Sequence, residues 1–299
     1  MPSTRDIRRR IKSVKNTAQI TKAMELVAAS KMKKAQDQAT AGRAYADLMN
    51  KVLVNLKDQT EEGAHPLLEE RKGDKELMLV ITTDKGLCGG LNTNVLREVT
   101  GNSGENTSFV TVGSKGKQFL ARGKRDLTAD FHVKDPVAFA ETKLVSNYIM
   151  EQFLEGTYDK VTVAFTNFIN TIKQEPMVET LLPVRPIDLG RDKDFIGMGK
   201  EVPQKTLEGH GPGPAGYIFE PTPEAVLDVI VPNYVNYQVY QMVLENRASE
   251  HSARMVAMKS ATDNANDLIK DLTLAYNKQR QAAITAELLE ITTAMKALE

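Results

Sequence analysis

The stretch NTAQITKAMELVAASKMKKAQ, from Asn16 to Gln36, decides the fold class of this chain. It contains no Gly and no Pro and is rich in Ala, so its composition predicts a helix. It also contains few large apolar side chains, so it cannot form a substantial core of its own. Because long helices draw most of their stability from packing, this helix must pack against other protein segments.

Both ends of the chain are free of helix-breaking residues over long distances. Residues 3–41 contain neither Gly nor Pro, Gly42 is a single interruption, and residues 43–62 again contain neither. Residues 233–299 contain neither for 67 residues. As a helix this segment would be about 100 Å long, so it must project from its domain or bind something equally long.

Apolar residues at the two ends recur in steps of three and four, the spacing of a coiled-coil seam. The predicted seam residues are Ile7, Ile11, Val14 and Ala18 at the N-terminal end and Ile284, Leu288, Ile291, Met295 and Leu298 at the C-terminal end. We therefore expect one end of the chain to pack on the other. The N-terminal register then passes through Thr21 and Glu25, while Ile20, Met24 and Val27 form an offset stripe, which predicts an irregular pair.

The middle of the chain has the pattern of an α/β domain. Residues 76–83, 108–112 and 160–165 have the composition of buried strands, and residues 136–153 form a helix-like stretch between them. Alternation of strands and helices predicts a mostly parallel, Rossmann-like sheet. The 177–183 region is also strand-like.

The predicted organisation has three segments: an N-terminal coiled-coil helix at 1–62, an α/β domain at 63–220 and a C-terminal coiled-coil helix at 221–299. Residues 190–216 are rich in Gly and Pro, which favours a surface insertion in the α/β domain. Pro223 suits the first turn of the C-terminal helix, and Pro232 is expected to kink it near its base.

Composition excludes several classes of protein. Lys plus Arg equals Asp plus Glu at 39 each, so there is no global field to attract nucleic acid or an anionic membrane. The longest aliphatic run, residues 77–81, is far shorter than a membrane-spanning helix requires. The single cysteine excludes an internal disulfide and a Cys cluster for zinc. The Arg-rich N-terminus lacks an apolar signal core, so we expect mature cytoplasmic structure.

The segment TTDKGLCGGLN, residues 82–92, has the position of a phosphate-binding loop, between a strand and a helix. Its glycines, Gly86, Gly89 and Gly90, match neither GxxxxGK[ST] nor GxGxxG. The simpler interpretation is a structural turn that needs positive φ, with Asn92 capping the next helix. We expect Cys88 in this turn to be a small buried apolar group rather than a nucleophile. The four histidines share no metal-ligand spacing.

Residues 1–35 carry ten Lys or Arg against Asp6 and Glu25. A nucleic-acid-binding arm is one interpretation, but no aromatic residues are interleaved to stack on bases. A basic helix that faces an acidic protein partner fits better. Met24 in the offset stripe is either core or a contact to another chain.

Four ordered blocks carry a family resemblance: IRRRIKSVKNTAQITKAMELVAASKMKKAQ, TTDKGLCGGLN, SEHSARMVAMKSATDNANDLI and YNKQRQAAITAELLEI. They closely resemble the gamma subunit family of F-type ATP synthase, of bacterial type, in the family's order and over nearly the whole chain. The resemblance implies a rotor shaft: an antiparallel coiled coil of the two terminal helices inside a ring of three alpha and three beta subunits. It also implies that the α/β domain docks the epsilon subunit and the membrane rotor ring of c subunits.

The family's nucleotides bind on alpha and beta, so the resemblance implies no catalytic site, no cofactor, no metal, no nucleic acid and no direct small-molecule ligand here. The implied role is to couple proton-driven rotation to ATP synthesis and hydrolysis, in a peripheral subunit at the cytoplasmic face of the cell inner membrane.

Residue by residue, the family's contact to the acidic lever segment of beta falls on Met24, with Lys22 alongside. The C-terminal contact to loops of the ring falls on Arg280 and Gln281, with Thr285 one turn on. The 190–216 segment is longer than in many bacterial members, and it lies where plant chloroplast members have a redox switch but contains no cysteine.

Two other functions remain open from the residues. A nucleotide-dependent enzyme would bind ATP as an isolated chain, and a nucleic-acid-binding coiled coil would bind DNA in a salt-sensitive way.

Overall fold

A computed structural model describes residues 3–57, 65–184 and 220–298. The expected insertion at 190–216 lies outside the described residues. In chain order the elements are α1 (Thr4–Lys57), a short 3-10 helix (Pro66–Leu68), β1 (Glu76–Ile81), α2 (Leu91–Asn102), β2 (Thr107–Val112), α3 (Ser114–Arg122), β3 (Leu127–Phe131), α4 (Phe139–Leu154), β4 (Lys160–Phe168), β5 (Gln174–Leu182) and α5 (Pro223–Leu298).

The chain divides into two compact units. Met1–Ala28 and Met255–Glu299 form the first, which we call the paired-helix unit, and Ala29–Arg254 forms the second, the sheet unit. Both long helices contribute residues to both units. The predicted segment boundaries at 62/63 and 220/221 stay a prediction, because the first lies outside the described residues and the second borders the 185–219 gap.

The sheet unit is built on five strands in the order β3-β2-β1-β4-β5. The pairs β1–β2, β1–β4 and β2–β3 are parallel, and β5 runs antiparallel to β4. This confirms the predicted mostly parallel sheet. The edge strand β3 was not predicted, because its LTADF sequence alternates partly buried and exposed residues and lacks an apolar run.

Alternate residues of the central strand β1 face two different cores. Leu77, Leu79 and Ile81 belong to a cluster shared with α4 and with the parts of α1 and α5 in the sheet unit. Met78 and Val80 pack with apolar residues of α2 and α3 on the opposite face. The sheet is thus covered on both sides, as expected for a largely parallel sheet whose strands are apolar throughout.

The paired-helix unit is an antiparallel helix pair. Thr21 Oγ1 lies 2.7 Å from Thr262 Oγ1, and Arg8 Nη2 lies 2.5 Å from the Tyr276 hydroxyl. The earlier residue of α1 thus contacts the later residue of α5, so the two helices are antiparallel. On α1 the predicted seam is buried or partly buried at Ile7, Ile11, Val14 and Ala18, and it continues through Thr21. The predicted antiparallel coiled coil is confirmed, whereas Ile20 and Val27 of the offset stripe are exposed.

The C-terminal half of the predicted seam is corrected by the structure. Ile284, Leu288, Ile291 and Met295 are 49% to 65% exposed, and the side chain of Leu298 lies outside the described residues. The register set by the two contacts above places Thr4 near position 280, so α5 continues past the first turn of α1. The residues that face α1 come earlier on α5, among them Met258, Thr262 and Ala265.

The two long helices pass through residues that ordinarily interrupt helices. Helix α1 continues through Gly42, whose carbonyl accepts a 2.7 Å hydrogen bond from the Tyr237 hydroxyl. Helix α5 begins at Pro223 as predicted and continues through Pro232. None of the helices in the described ranges combines the length and the apolar composition that a membrane span requires.

Candidate functional site

The glycine-rich turn after β1 is fixed by side-chain hydrogen bonds. Leu87 and Gly89 have positive φ, of 61° and 60°. The expected capping role of Asn92 is corrected: Gly90 is the N-cap of α2, and Asn92 lies inside the first turn. The side-chain oxygen of Asn92 accepts a hydrogen bond from Thr83 N at 3.1 Å, and its side-chain amide donates to Thr83 Oγ1 at 2.8 Å. Asn92 therefore ties the start of α2 to the end of β1.

Cys88 is 2% exposed, which confirms its prediction as a buried group. The side-chain amide of Asn92 donates a hydrogen bond to the Cys88 sulfur at 3.4 Å. In the described ranges no group of three or more His, Cys, Asp and Glu is arranged to hold a metal ion.

The turn is held against α5 by arginine. Arg254 donates to the carbonyl oxygens of Lys85 and Gly86 at 3.2 to 3.4 Å, and to Glu250 Oε1 at 2.8 Å. Its guanidinium therefore links two turn carbonyls to a carboxylate one turn back on its own helix. Such charge-assisted bonds are stronger than neutral ones.

Arg247 is the centre of a buried ionic network in the sheet unit. It donates to Glu250 Oε2 at 2.8 Å, to Asp84 Oδ2 at 3.3 Å and to the carbonyl oxygen of Val133 at 2.6 Å. Burial alone would lower the pKa of Arg247, but the carboxylates of Glu250 and Asp84 outweigh it and raise that pKa. Burial likewise opposes ionisation of Asp84, yet the Ser114 backbone N–H and Arg247 hold its pKa below the usual value.

A second polar group lies nearby in the same unit. His251 is 3% exposed, and its Nε2 lies 3.3 Å from Asp135 Oδ2. That carboxylate oxygen accepts a hydrogen bond from Lys31 Nζ at 2.7 Å. Burial lowers the pKa of His251 despite the neighbouring Glu250 and Asp135 carboxylates. This network was not predicted from the sequence. The signal was present as four charged or ionisable residues, Arg247, Glu250, His251 and Arg254, within two turns of a helix.

The predicted contact residues of the paired-helix unit lie on its surface. Lys22 is exposed and its Nζ lies 3.0 Å from Glu25 Oε1, while Met24 is half-buried. Arg280 and Gln281 are exposed, as is Thr285, whose hydroxyl donates to the Gln281 carbonyl at 3.0 Å. These positions are accessible to a partner chain, and their role as contacts stays a prediction.

The end of α5 exposes an apolar surface. All residues from 280 to 296 are exposed. Between 281 and 295 the only charged residues are Glu287 and Glu290. The exposed apolar side chains are Ile284, Leu288, Leu289, Ile291 and Met295. We call residues 281–296 the apolar tip. Contiguous apolar surface of this kind marks a site of protein or membrane contact.

Comparison with known proteins finds relatives that match this chain over nearly its whole length. A family model described as ATP synthase matches residues 3–298. The ATP synthase gamma chain of Opitutus terrae is 51% identical over 294 residues, covering 98% of this chain and 98% of that protein. The ATP synthase gamma chain of Akkermansia muciniphila is 46% identical over 299 residues, covering all of both chains.

Solved structures agree with the fold. A chain from the central stalk and c-ring structure of Tetrahymena thermophila mitochondrial ATP synthase matches with a TM-score of 0.59 and 28% identity, covering 81% of this chain and 99% of that chain. A chain of the Euglena gracilis mitochondrial ATP synthase matches with a TM-score of 0.67 and 22% identity, covering 99% of this chain and 94% of that chain.

Proposed function

Because the chain belongs to the ATP synthase gamma chain family, we propose that it is the central rotor shaft of an F-type ATP synthase and has no catalytic site of its own. In this role it couples proton-driven rotation of a membrane rotor ring to ATP synthesis and hydrolysis in the head. The resemblance carried by the four sequence blocks is confirmed by the family match over residues 3–298.

The observation that carries the proposal is the apolar tip. Sixteen helical residues span about 24 Å, and an isolated helix of this length is marginal in water. Burying each large aliphatic side chain is worth about 1.5–3 kcal/mol. A surrounding protein sleeve would supply that burial on every side, which one partner helix could not do.

The tip also has the asymmetry that a rotor needs. At 3.6 residues per turn its side chains separate onto three faces. They are an aliphatic face (Ile284, Leu288, Ile291 and Met295), a mixed face of three hydroxyls and one leucine (Thr285, Leu289, Thr292 and Thr293) and an acidic face (Glu287 and Glu290). A threefold ring around this helix meets a different chemistry at each of its three positions.

Coupling follows from that mismatch. If each face stabilises the open and closed conformations of a beta subunit unequally, then turning the helix shifts each nucleotide site in sequence. Rotation driven from the membrane then releases ATP, and hydrolysis turns the helix in the opposite direction. The same reasoning makes Arg280, Gln281 and Lys22 proposed contacts to the ring, because exposed cations and amides can bind carboxylates and loop carbonyls.

The proposed partners are the alpha and beta subunits, the epsilon subunit and the c-ring. The Tetrahymena and Euglena assemblies named above contain a c-ring, and the second also contains the F1 head. We place this chain at the cytoplasmic face of the cell inner membrane, as a peripheral subunit.

The test is ATP hydrolysis by the chain alone, by its alpha and beta subunits without it, and by all three after co-expression and gel filtration. The proposal expects an inactive chain that co-elutes with alpha and beta and raises their sustained turnover. Hydrolysis by the isolated chain, or failure to co-elute, would contradict the proposal and reopen the glycine-rich turn as a nucleotide site.

A further inference from the structure

Two polar contacts cross between the helices of the paired-helix unit. Thr21 and Thr262 place their hydroxyl oxygens 2.7 Å apart, and Arg8 donates to the Tyr276 hydroxyl at 2.5 Å. The Arg8 guanidinium also lies 5.4 Å from the centre of the Tyr276 ring. Thirteen residues of α1 separate the two contacts, about 20 Å along the helix.

The apolar part of the seam does not by itself fix how the helices align. Around the Thr contact the buried seam residues are mostly small: Ala18 and Ala28 on α1 and Ala265 on α5, with Met258 as the one large side chain. Methyl groups give little shape to interdigitate, and the unbranched, flexible side chain of Met258 adapts to irregular gaps. Because the seam repeats every seven residues, a slip of one heptad would again bring apolar positions together. Something else must distinguish the observed register from its neighbours.

The Thr pair provides a register-specific hydrogen bond. Thr262 is 9% exposed, and its hydroxyl is also within 2.8 Å of the Met258 carbonyl, while Thr21 is within 3.1 Å of the Ala18 carbonyl. Each hydroxyl has one proton, so one proton serves the interhelical bond and the other a backbone carbonyl. In a slipped register the interhelical bond is lost and a buried hydroxyl oxygen loses its donor.

We propose that the Thr21–Thr262 and Arg8–Tyr276 contacts set the register of the two helices, so that the pair turns as one body. A single polar pair within an apolar seam is known to specify register in coiled coils. The consequence for torque rests on the proposed function, because register matters for coupling only if the pair is a shaft. The register itself does not depend on that function.

The test uses disulfide formation in the full-length chain, with buried Cys88 replaced by Ala. The register places Ile11 opposite Leu272, and a slip of one heptad would place it opposite Ala265. Ile11→Cys with Leu272→Cys therefore reports the observed register, and Ile11→Cys with Ala265→Cys reports the slipped one. The ratio of the two oxidation rates is measured in each background.

We expect the pair that reports the observed register to oxidise faster in the otherwise unmodified chain. Thr21→Val with Thr262→Val keeps the side-chain shape and removes the hydroxyls, and it should lower the ratio about fivefold, the effect of one net hydrogen bond. Tyr276→Phe, which keeps the ring, should lower the ratio in the same direction. Adding it to the Thr variants should lower the ratio further.

The matched controls are Thr17→Val and Thr273→Val. These exposed threonines donate to backbone carbonyls of their own helices, Ser13 and Ile269, and not to the other helix. They should leave the ratio within about twofold. A ratio that is equally unchanged in the Thr21→Val and Thr262→Val chain would overturn the proposal, as would equal oxidation of both cysteine pairs before any of these changes.

A second arm separates register from coupling. In the complex with alpha and beta, Thr21→Val with Thr262→Val and Tyr276→Phe should reduce the stimulation of ATP hydrolysis, and oxidation of the Ile11–Leu272 cysteine pair should restore it. Loss without restoration would contradict the link between register and torque. If the unmodified chain shows the register preference but fails to stimulate alpha and beta, the proposed function fails and the register inference stands.

Discussion

The buried guanidinium of Arg247 joins two carboxylates from distant parts of the chain, Asp84 after β1 at 3.3 Å and Glu250 on its own helix at 2.8 Å. Through Glu250 the network continues to Arg254, which donates to the carbonyl groups of the glycine-rich turn. The turn is therefore positioned by α5 as well as by its own backbone.

Replacing Arg247 by Met should lower the free energy of unfolding by about 3–5 kcal/mol, because it leaves buried carboxylates without their cation. Urea unfolding followed by circular dichroism measures the change. The matched control is Lys270→Met, which removes an exposed cation 2.8 Å from Asp267 and should leave the stability nearly unchanged. Equal effects of the two changes would show that the Arg247 network does not stabilise the fold.

The burial of His251 predicts a specific pH dependence. Its pKa is lowered in the folded state, so the unfolded chain takes up the proton first, and stability should fall as pH drops below about 6.5, the ordinary value. His251→Gln should remove this loss between about pH 6.5 and 5. His132→Gln, at an exposed histidine, is the control.

Asp135 should contribute in a different pH range. Burial opposes ionisation of its carboxyl, but the hydrogen bond from Lys31 and the charge of His251 outweigh burial and lower the pKa. Stability from this group is present at neutral pH and is lost only as pH falls below about 4. Lys31→Met should make the free energy of unfolding depend less on pH in that acidic range. A His251→Gln profile that kept the loss above pH 5 would contradict the assignment to His251.

Two glycines near the sheet should respond oppositely to Ala. Gly113 has φ of 102°, and a Cβ there would lie 2.2 Å from the Thr82 carbonyl oxygen. Gly113→Ala should therefore destabilise the protein by about 1–3 kcal/mol or more. Gly101, inside α2, has open space around its Cβ position, so Gly101→Ala should stabilise it by about 0.5–1 kcal/mol. Thermal unfolding of both variants measures the difference, and a shift of the same sign in both would contradict it.

The proposed ring contacts predict a catalytic effect without a folding effect. Arg280→Ala with Gln281→Ala should lower turnover of the assembled complex and leave assembly intact, because both side chains are exposed on the isolated chain. Arg280→Lys in place of Arg280→Ala should restore only part of the turnover lost in the double variant, since Lys cannot form the forked hydrogen bonds of Arg. Lys278→Ala, two residues away, is the control. Unchanged steady-state hydrolysis in the double variant would rule out these contacts.

The sequence was sufficient for the elements whose pattern is local. Five successive apolar residues from 77 to 81 predicted the central strand β1, and the long spans without Gly or Pro predicted α1 and α5. Strand β3 was missed because its partly exposed edge position leaves no apolar run. The Arg247 network could not be located, because Asp84 and Arg247 are 163 residues apart in sequence.

The incorrect C-terminal seam has a different cause. The three-and-four spacing of Ile284, Leu288 and Ile291 marks an apolar face on a helix, but it does not say what covers that face. On α1 the same spacing at Ile7 and Ile11 faces a helix of the same chain, whereas on α5 it remains exposed. Only the pairing register, fixed by Thr21 and Thr262, distinguishes the two cases.

Single-molecule rotation tests the rotor function of this chain directly. A probe attached to Ile172→Cys, at an 86% exposed position, in a chain with Cys88→Ala, is observed in a complex immobilised through its beta subunits. With ATP we expect rotation in one direction with three stops per turn, from the threefold ring. A probe that stays stationary while the same complex hydrolyses ATP would show that this chain is not the rotor shaft.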